Sequence, residues 1–208
     1  MTNHAPHRVA SRWLVGALLV TALGALAAAA PPTAEAQGRG RSGGRVRIGT
    51  PHTGSRPLQL DLHLGFAWYG RGLATGVRFG IPIVENGFVP SINNAVYINF
   101  GMDLYFIEYR YGCYDNMGRA RGDCRGTGIG FPVTMHWEFY FSEHWTAFGE
   151  VGLNPFIAPG YLDGDRYRWD GRHWFIVAVG GRYMFNDAVA LTLRVGSPYA
   201  AFGVSFFF

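Results

Sequence analysis

The chain has no lysine: all 18 of its basic residues are arginine, and charged residues make up only 15% of its 208 positions. An average soluble domain carries about 25% charge, so a conventional hydrated surface is already in doubt. The net charge of +4 is too modest to argue for a nucleic-acid partner. Two cysteines cannot staple a disulfide scaffold. Helical spacing of apolar residues is nearly absent, and beyond residue 36 no apolar run is long enough to cross a membrane as a helix. What is abundant is aromatic residues, at 16%, and glycine, at 30 positions. The aromatics exclude intrinsic disorder. The glycines follow no three-residue period, which excludes a collagen-like chain. The length suits one domain with one core.

Residues 1–36 carry Arg8 and Arg12, then an apolar segment from Trp13 to Ala30, then Ala34-Glu35-Ala36 before Gln37. This is the pattern of a cleaved secretory signal peptide, with a membrane-anchoring helix as the alternative. Residues 37–56 hold five arginines and no acid and are rich in glycine, so they read as a flexible basic tail, or alternatively a phosphate-binding arm.

From Leu58 onward the pattern has period two, the signature of strands with one apolar face. Eight runs follow: Leu58 to Trp68, Leu73 to Ile83, Val96 to Phe106, Ile129 to Phe141, Trp145 to Leu153, Phe175 to Phe185, Val189 to Gly196 and Ala200 to Phe208. Pro132 removes a ladder donor from the fourth. The fifth is the weakest, because Ala147 and Gly149 dilute its apolar series. Eight long strands joined by tight turns predict a closed antiparallel up-and-down barrel over residues 57–208. Two connections are long, Glu108 to Gly128 and Asn154 to His173, and both fall on the side away from the termini. The ten-residue link Glu85 to Asn94 is an exception on the terminal side, where short turns are expected.

A barrel can be apolar inside, as in a carrier, or apolar outside, as in a membrane. Glycine separates these, because an eight-stranded lumen barely admits side chains. Gly65, Gly76, Gly80, Gly101, Gly130, Gly152, Gly180, Gly196 and Gly203 all lie on the polar series. The polar series is therefore expected inside, with Asp61, His63, Arg78, Asp103, His136, Glu138, Glu150, Arg182 and Arg194 as a lumen network of mixed charge. The apolar series carries no charge, and aromatics gather near its ends. Phe139, Phe141, Trp145, Tyr183, Phe185 and Phe208 form one expected girdle, and Trp68, Phe106, Phe131, Phe175 and Tyr199 the other.

The ending Gly203-Val204-Ser205-Phe206-Phe207-Phe208 resembles the C-terminal signal of bacterial outer-membrane barrels, with Gly203, Phe206 and Phe208 at its marked positions and Ala201 departing from the upstream polar one. With the eight runs, the region resembles a small barrel of the OmpA/OmpX type. That resemblance implies a Gram-negative outer membrane, assembly by the barrel assembly machinery, and contact with outer-membrane lipids and lipopolysaccharide.

Cys113 and Cys124 lie in the first long loop, and in an oxidising compartment a loop-closing disulfide is expected. Arg110, Arg119, Arg121 and Arg125 around them could meet lipopolysaccharide phosphates or simply be solvated. His63, His136 and the interior acids could be read as an acid/base or metal site, but a satisfied plug is the expected role. A deacylase-like site would need His and Ser two apart facing lipid, and no H-x-S occurs. Asp163-Gly164-Asp165-Arg166 lacks the later ligands of a calcium loop. The expectation is a monomeric, non-enzymatic outer-membrane barrel with a plugged lumen, without cofactor, metal or nucleic acid, serving envelope integrity or surface interaction. A narrow channel or hydrophobic-solute conduit is the alternative, and a lipid A-modifying enzyme the third.

Overall fold

The computed structural model describes residues 46–68, 72–109, 113–114, 120–121, 124–159, 167–169 and 175–208. Of these, 107–109, 113–114, 120–121, 124–125, 158–159 and 167–169 are described as backbone only. The proposed signal peptide and the loop string 163–166 lie outside the described residues.

The described chain is all-β. Its segments are β1 (Gln59–Ala67), β2 (Gly72–Val84), β3 (Asn94–Tyr109), β4 (Cys113–Tyr114), β5 (Ala120–Arg121), β6 (Cys124–Gly130), β7 (Val133–Tyr140), β8 (Trp145–Leu153), β9 (Phe156–Pro159), β10 (Tyr167–Trp169), β11 (Phe175–Met184), β12 (Val189–Ser197) and β13 (Tyr199–Phe207). Antiparallel pairing runs β3-β2-β1-β13-β12-β11-β8-β7 and returns from β7 to β3, closing an eight-stranded barrel with up-and-down neighbours. Closure removes the exposed edges that an open sheet would present. Beyond the last paired residues, Leu58 and Phe208 exchange N–H···O bonds of 2.9 and 3.2 Å, so the seam between first and last strands extends to the C-terminal residue.

The fourth run is divided at Phe131-Pro132 into β6 and β7, which is where a missing N–H would be felt. Yet the register does not change. Asp103 faces Gly130 above the break, and Phe100 faces Val133 below it, at the same offset. The fifth run is β8 undivided, and beyond it, after Asn154-Pro155, the chain continues as β9 without a change of register against its neighbour. Gly101 N–H donates to Pro132 O (3.1 Å) and Phe131 N–H to Pro155 O (2.9 Å); neither proline can return a bond. The long connections are shorter than the sequence indicates, because β3 continues to Tyr109, β6 starts at Cys124, and β9 and β10 form a hairpin.

The facing follows the expected alternation. In β1, Gln59, Asp61, His63, Gly65 and Ala67 are buried, while Leu64 and Phe66 are exposed. The fifth run resolves as its apolar series suggested, with Thr146, Phe148 and Glu150 buried inside and Trp145, Val151 and Leu153 exposed. Across the strand spans with described side chains, no charged residue lies on the outward series. Tyr199 is a correction: expected in an outer girdle, it is 2% exposed and lies in the lumen. It has the parity of Ala201, Ser205 and Phe207, all buried, and its hydroxyl finds partners only inside.

Residues 46–56, assigned above to a flexible tail, are held against the terminal-side connection 85–93. Ile48 O accepts from Asn93 N–H (2.7 Å), and Asn86 Oδ1 accepts from His52 N–H (3.0 Å). The Arg56 guanidinium donates to Glu85 O (3.0 Å) and Asn93 Oδ1 (2.5 Å) and stands 4.1 Å from the Tyr140 ring centre.

Candidate functional site in the barrel lumen

All nine residues expected in the lumen network are buried inside the barrel. All nine occupy inward positions, and four of them lie opposite glycines. His63 faces Gly203 on one side and Gly76 on the other; Asp103 faces Gly76 and Gly130; Arg78 faces Gly101; Arg194 faces Gly180. A side chain at Gly76 would place its Cβ 2.3 Å from Asp103 Oδ1 and 2.9 Å from His63 Cε1. The glycines are the space into which the charged side chains fit.

The charges are ordered by sign. Arg182 donates to Glu138 (2.6 Å) and Asp61 (3.0 and 3.2 Å); Arg194 donates to Asp61 (3.2 Å) and Glu150 (2.9 Å); Arg78 donates to Glu150 (2.9 Å) and Asp103 (3.2 Å). The result is one alternating chain, Glu138, Arg182, Asp61, Arg194, Glu150, Arg78, Asp103, in which every guanidinium bridges two carboxylates. Its seven members come from seven different strands of the ring, β7, β11, β1, β12, β8, β2 and β3. The eighth, β13, supplies Ser205 beside Thr192 and the Tyr199 hydroxyl.

Four acids against three arginines leave the chain with a carboxylate at each end, and a histidine stands at each. His63 Nε2 is 3.2 Å from Asp103 Oδ1. His136 lies between Glu138 (3.4 Å) and Glu150 (2.8 Å) and so folds one end back onto the middle. Buried charge is tolerated only when paired and hydrogen-bonded, and the alternation meets that condition for each acid and each arginine.

Neutral partners add further hydrogen bonds, and the sequence reading missed most of them. Gln59 Oε1 accepts from Arg182 (3.2 Å) while its amide donates to Glu138 (3.0 Å). Thr146 donates to Glu138 (2.7 Å). Tyr199 accepts from Arg78 (2.6 Å), donates to Asp103 (2.9 Å) and lies 3.0 Å from His63 Nε2. Tyr105 donates to Asp103 and accepts from Asn154, both at 3.2 Å. Phe148 stacks on His136 with 4.4 Å between centres, and the guanidiniums of Arg182 and Arg194 lie 5.1 and 5.5 Å from its ring. Inward parity was the signal available for all of them; a residue-type search for chemistry passes over Gln, Phe and Tyr.

Above the charged layer, on the side away from the termini, Ala67, Ala74, Tyr105, Phe156, Tyr199 and Ala201 pack together as an apolar roof. Tyr105 meets Phe156 edge-on at 5.1 Å. Gly203, Phe206 and Phe208 lie on the last strand and its end; Phe206 and Phe208 face outward and Gly203 faces His63. Backbone pairing places Cys113 opposite Arg121 and Cys124 opposite Tyr109, but both cysteine side chains lie outside the described residues, as do those of Arg110, Arg119, Arg121 and Arg125. Among the described residues no group of His, Cys, Asp and Glu is arranged to hold a metal ion.

Chemically, the charges are mutually paired, while His63 Nδ1, Asp103 Oδ1, His136 Nε2 and the Nε atoms of Arg78 and Arg194 are buried without a hydrogen-bond partner among the described residues. Each charged head group is engaged by groups of opposite sign, so the network is built to fill and fix the lumen. Comparison with protein-family models and with curated proteins finds no match to this chain.

Proposed function

We propose that the protein is a non-enzymatic β-barrel of the Gram-negative outer membrane, of the small OmpA/OmpX type, with a lumen plugged by its own side chains. The observation that carries this is the inversion of polarity across one wall: alternating ion pairs inside, and outside an uncharged surface with exposed Leu64, Leu73, Val177, Val179, Leu191, Leu193 and Phe202. A charge at the middle of a lipid-facing wall costs about 2 to 4 kcal/mol, and a wall free of charge suits hydrocarbon. The girdle residues Trp68, Phe106, Trp145, Phe175, Phe185 and Phe208 are exposed near strand ends, as interfacial aromatics are. The terminal Phe208 supports delivery by the barrel assembly machinery after export.

The terminal side then faces the periplasm, and the long connections face outward toward lipopolysaccharide, the first closed by a Cys113–Cys124 disulfide. The role is envelope integrity or surface contact by a monomer. Fractionation with electrophoresis of unboiled samples tests the reading: the chain should co-sediment with outer membranes and migrate anomalously until heated. A soluble, heat-insensitive chain would sink it. Planar-bilayer recordings should show no steady unitary conductance; a steady conductance would replace the plugged lumen by a channel. Lipid A acyl chains should be unchanged when the gene is removed, and a change would favour the enzyme. A cysteine introduced by Gly164→Cys should be labelled on intact cells.

A further inference from the structure

The apolar roof covers the charged chain on the side away from the termini, and the terminal end of the lumen is also closed. There the inward residues Asn93, Ala95, Tyr97, Met184 and Phe207 are all buried. On the side of β11 to β13 the cover is the barrel's own cluster of Met184, Ala190 and Phe207. On the side of β3 and β7 it comes from the segment that precedes β1.

Asn93 and Tyr140 lie opposite one another at this end, since Tyr140 N–H donates to Asn93 O (3.0 Å), and both continue the inward parity of Ala95 and Glu138. Arg56, three residues before β1, lies against both. Its Nη2 donates to Asn93 Oδ1 (2.5 Å), its Nε donates to Glu85 O (3.0 Å), and its guanidinium carbon is 4.1 Å from the Tyr140 ring centre. The Tyr140 hydroxyl is 3.1 Å from that of Tyr97, which is 0% exposed. One guanidinium thus joins the residue after β2, the residue before β3 and the last residue of β7. Asn93 Oδ1 and Glu85 O are neutral acceptors, so this contact is weaker than the ion pairs of the chain beneath it. A segment held in this way opens locally at far less cost than the barrel unfolds.

We propose that residues 46–56 form a lid over the terminal mouth of the lumen, with Arg56 as its latch. Release of the latch admits water and small ions to Tyr140 and Tyr97, and from there toward the Glu138 end of the charged chain. The roof at the other end stays in place, so the open state is a blind mouth and not a channel. The device needs only the barrel, and it holds whether or not the outer wall meets lipid.

Hydroxyl-radical footprinting of the full folded chain, read residue by residue by mass spectrometry, tests the lid. Arg56→Ala removes two hydrogen bonds and the ring contact, and should raise the oxidation rates of Tyr97 and Tyr140 about ten-fold. Tyr105 and Tyr199, in the roof, should keep the parent's rates, and heat modifiability should be unchanged. Arg56→Lys should restore part of the protection, since an ammonium keeps a cation over the ring but loses the fork. Asn93→Ala, which removes one acceptor and leaves the lid's own sequence intact, should raise the same two rates by less. Unchanged rates at Tyr97 and Tyr140 in the Arg56→Ala protein overturn the lid. An equal rise at all four tyrosines overturns it too, because Arg56 would then be a general support of the barrel. Should the Arg56→Ala chain fail to fold, the Asn93→Ala chain decides by the same four rates.

Discussion

Gly180 and Gly181 are adjacent on β11, and they mark two different kinds of surface. A Cβ on Gly180 would lie 2.2 Å from Phe148 Cζ and 2.4 Å from Leu193 O, whereas one on Gly181 would meet only Thr146 O, at 3.4 Å. The next pair repeats the contrast: Arg182 is engaged by Glu138, Asp61, Gln59 and Thr192, while Tyr183 faces outward among Trp145 and Phe185. The inner face is specified atom by atom, because volume and charge must both close there. The outer face asks only that a residue be apolar. One strand thus carries a specific message on one parity and a generic one on the other, and a slip of register by one residue would exchange them. With one charged residue from each of seven strands in the alternating chain, the lumen serves as the key to that register.

The largest expected effect follows from removing one link of the chain. Arg182→Met keeps the volume but leaves Asp61 with Arg194 alone and Glu138 without a guanidinium. Uncompensated buried charge of this kind costs about 3 to 5 kcal/mol. The heat-modified transition of the folded barrel should fall by many degrees, and Arg182→Lys should restore only part of the loss, since one ammonium does not reproduce the fork. An unshifted transition in the Arg182→Met protein would show that the chain does not hold the lumen.

Next in size is a charge placed on the other face. Leu193 is exposed on β12 and flanked by outward Gly181 and Phe202. Leu193→Arg should cost about 2 to 4 kcal/mol in a bilayer, read as a lower yield of folded barrel in lipid vesicles. A barrel that folds into vesicles as well as the parent would mean that this face does not meet hydrocarbon. The glycine pair gives a smaller effect. Gly180→Val should cost about 1 to 3 kcal/mol through overpacking against a backbone carbonyl, and Gly181→Val should fall within about 0.5 kcal/mol of the parent. Urea titration of the two variants side by side checks the difference; equal losses would erase the contrast between the faces.

The barrel, its strand count and the choice of inside were legible in the sequence because all three rest on parity, and parity is local. Nine glycines on the polar series identified the crowded face, and the Cβ distances at Gly76 and Gly180 bear this out. The nine charged and imidazole residues were legible for the same reason. Their order was not, because which acid each arginine bridges depends on strand tilt and closure, as Asp61 meeting both Arg182 and Arg194 illustrates. Tyr199 was misplaced by grouping it with strand-end aromatics instead of following its parity from Ala201. The course of the connection 85–93 was not legible, since nothing in its spacing says that Phe88 packs against Trp137 or that Asn94 bonds Val89 O and Ile92 O.

The smallest effect concerns the paired breaks at Pro132 and Pro155, where the two faces meet a shared constraint in the backbone. Register is continuous across Pro132, and its neighbour Gly101 already donates to Pro132 O. Only the return bond, from residue 132 to Gly101 O, is missing, and only because proline has no N–H. Pro132→Val supplies that donor at a position whose side chain is buried in the lumen. The gain is one ladder bond of about 1 kcal/mol net, set against the greater freedom that valine gives the unfolded chain, so urea titration should find a stabilisation below about 1 kcal/mol. Hydrogen exchange at residue 132 should report a protected amide. A destabilised variant would mean that the break is required by the inner face, whose packing around Pro132 would then outrank the ladder.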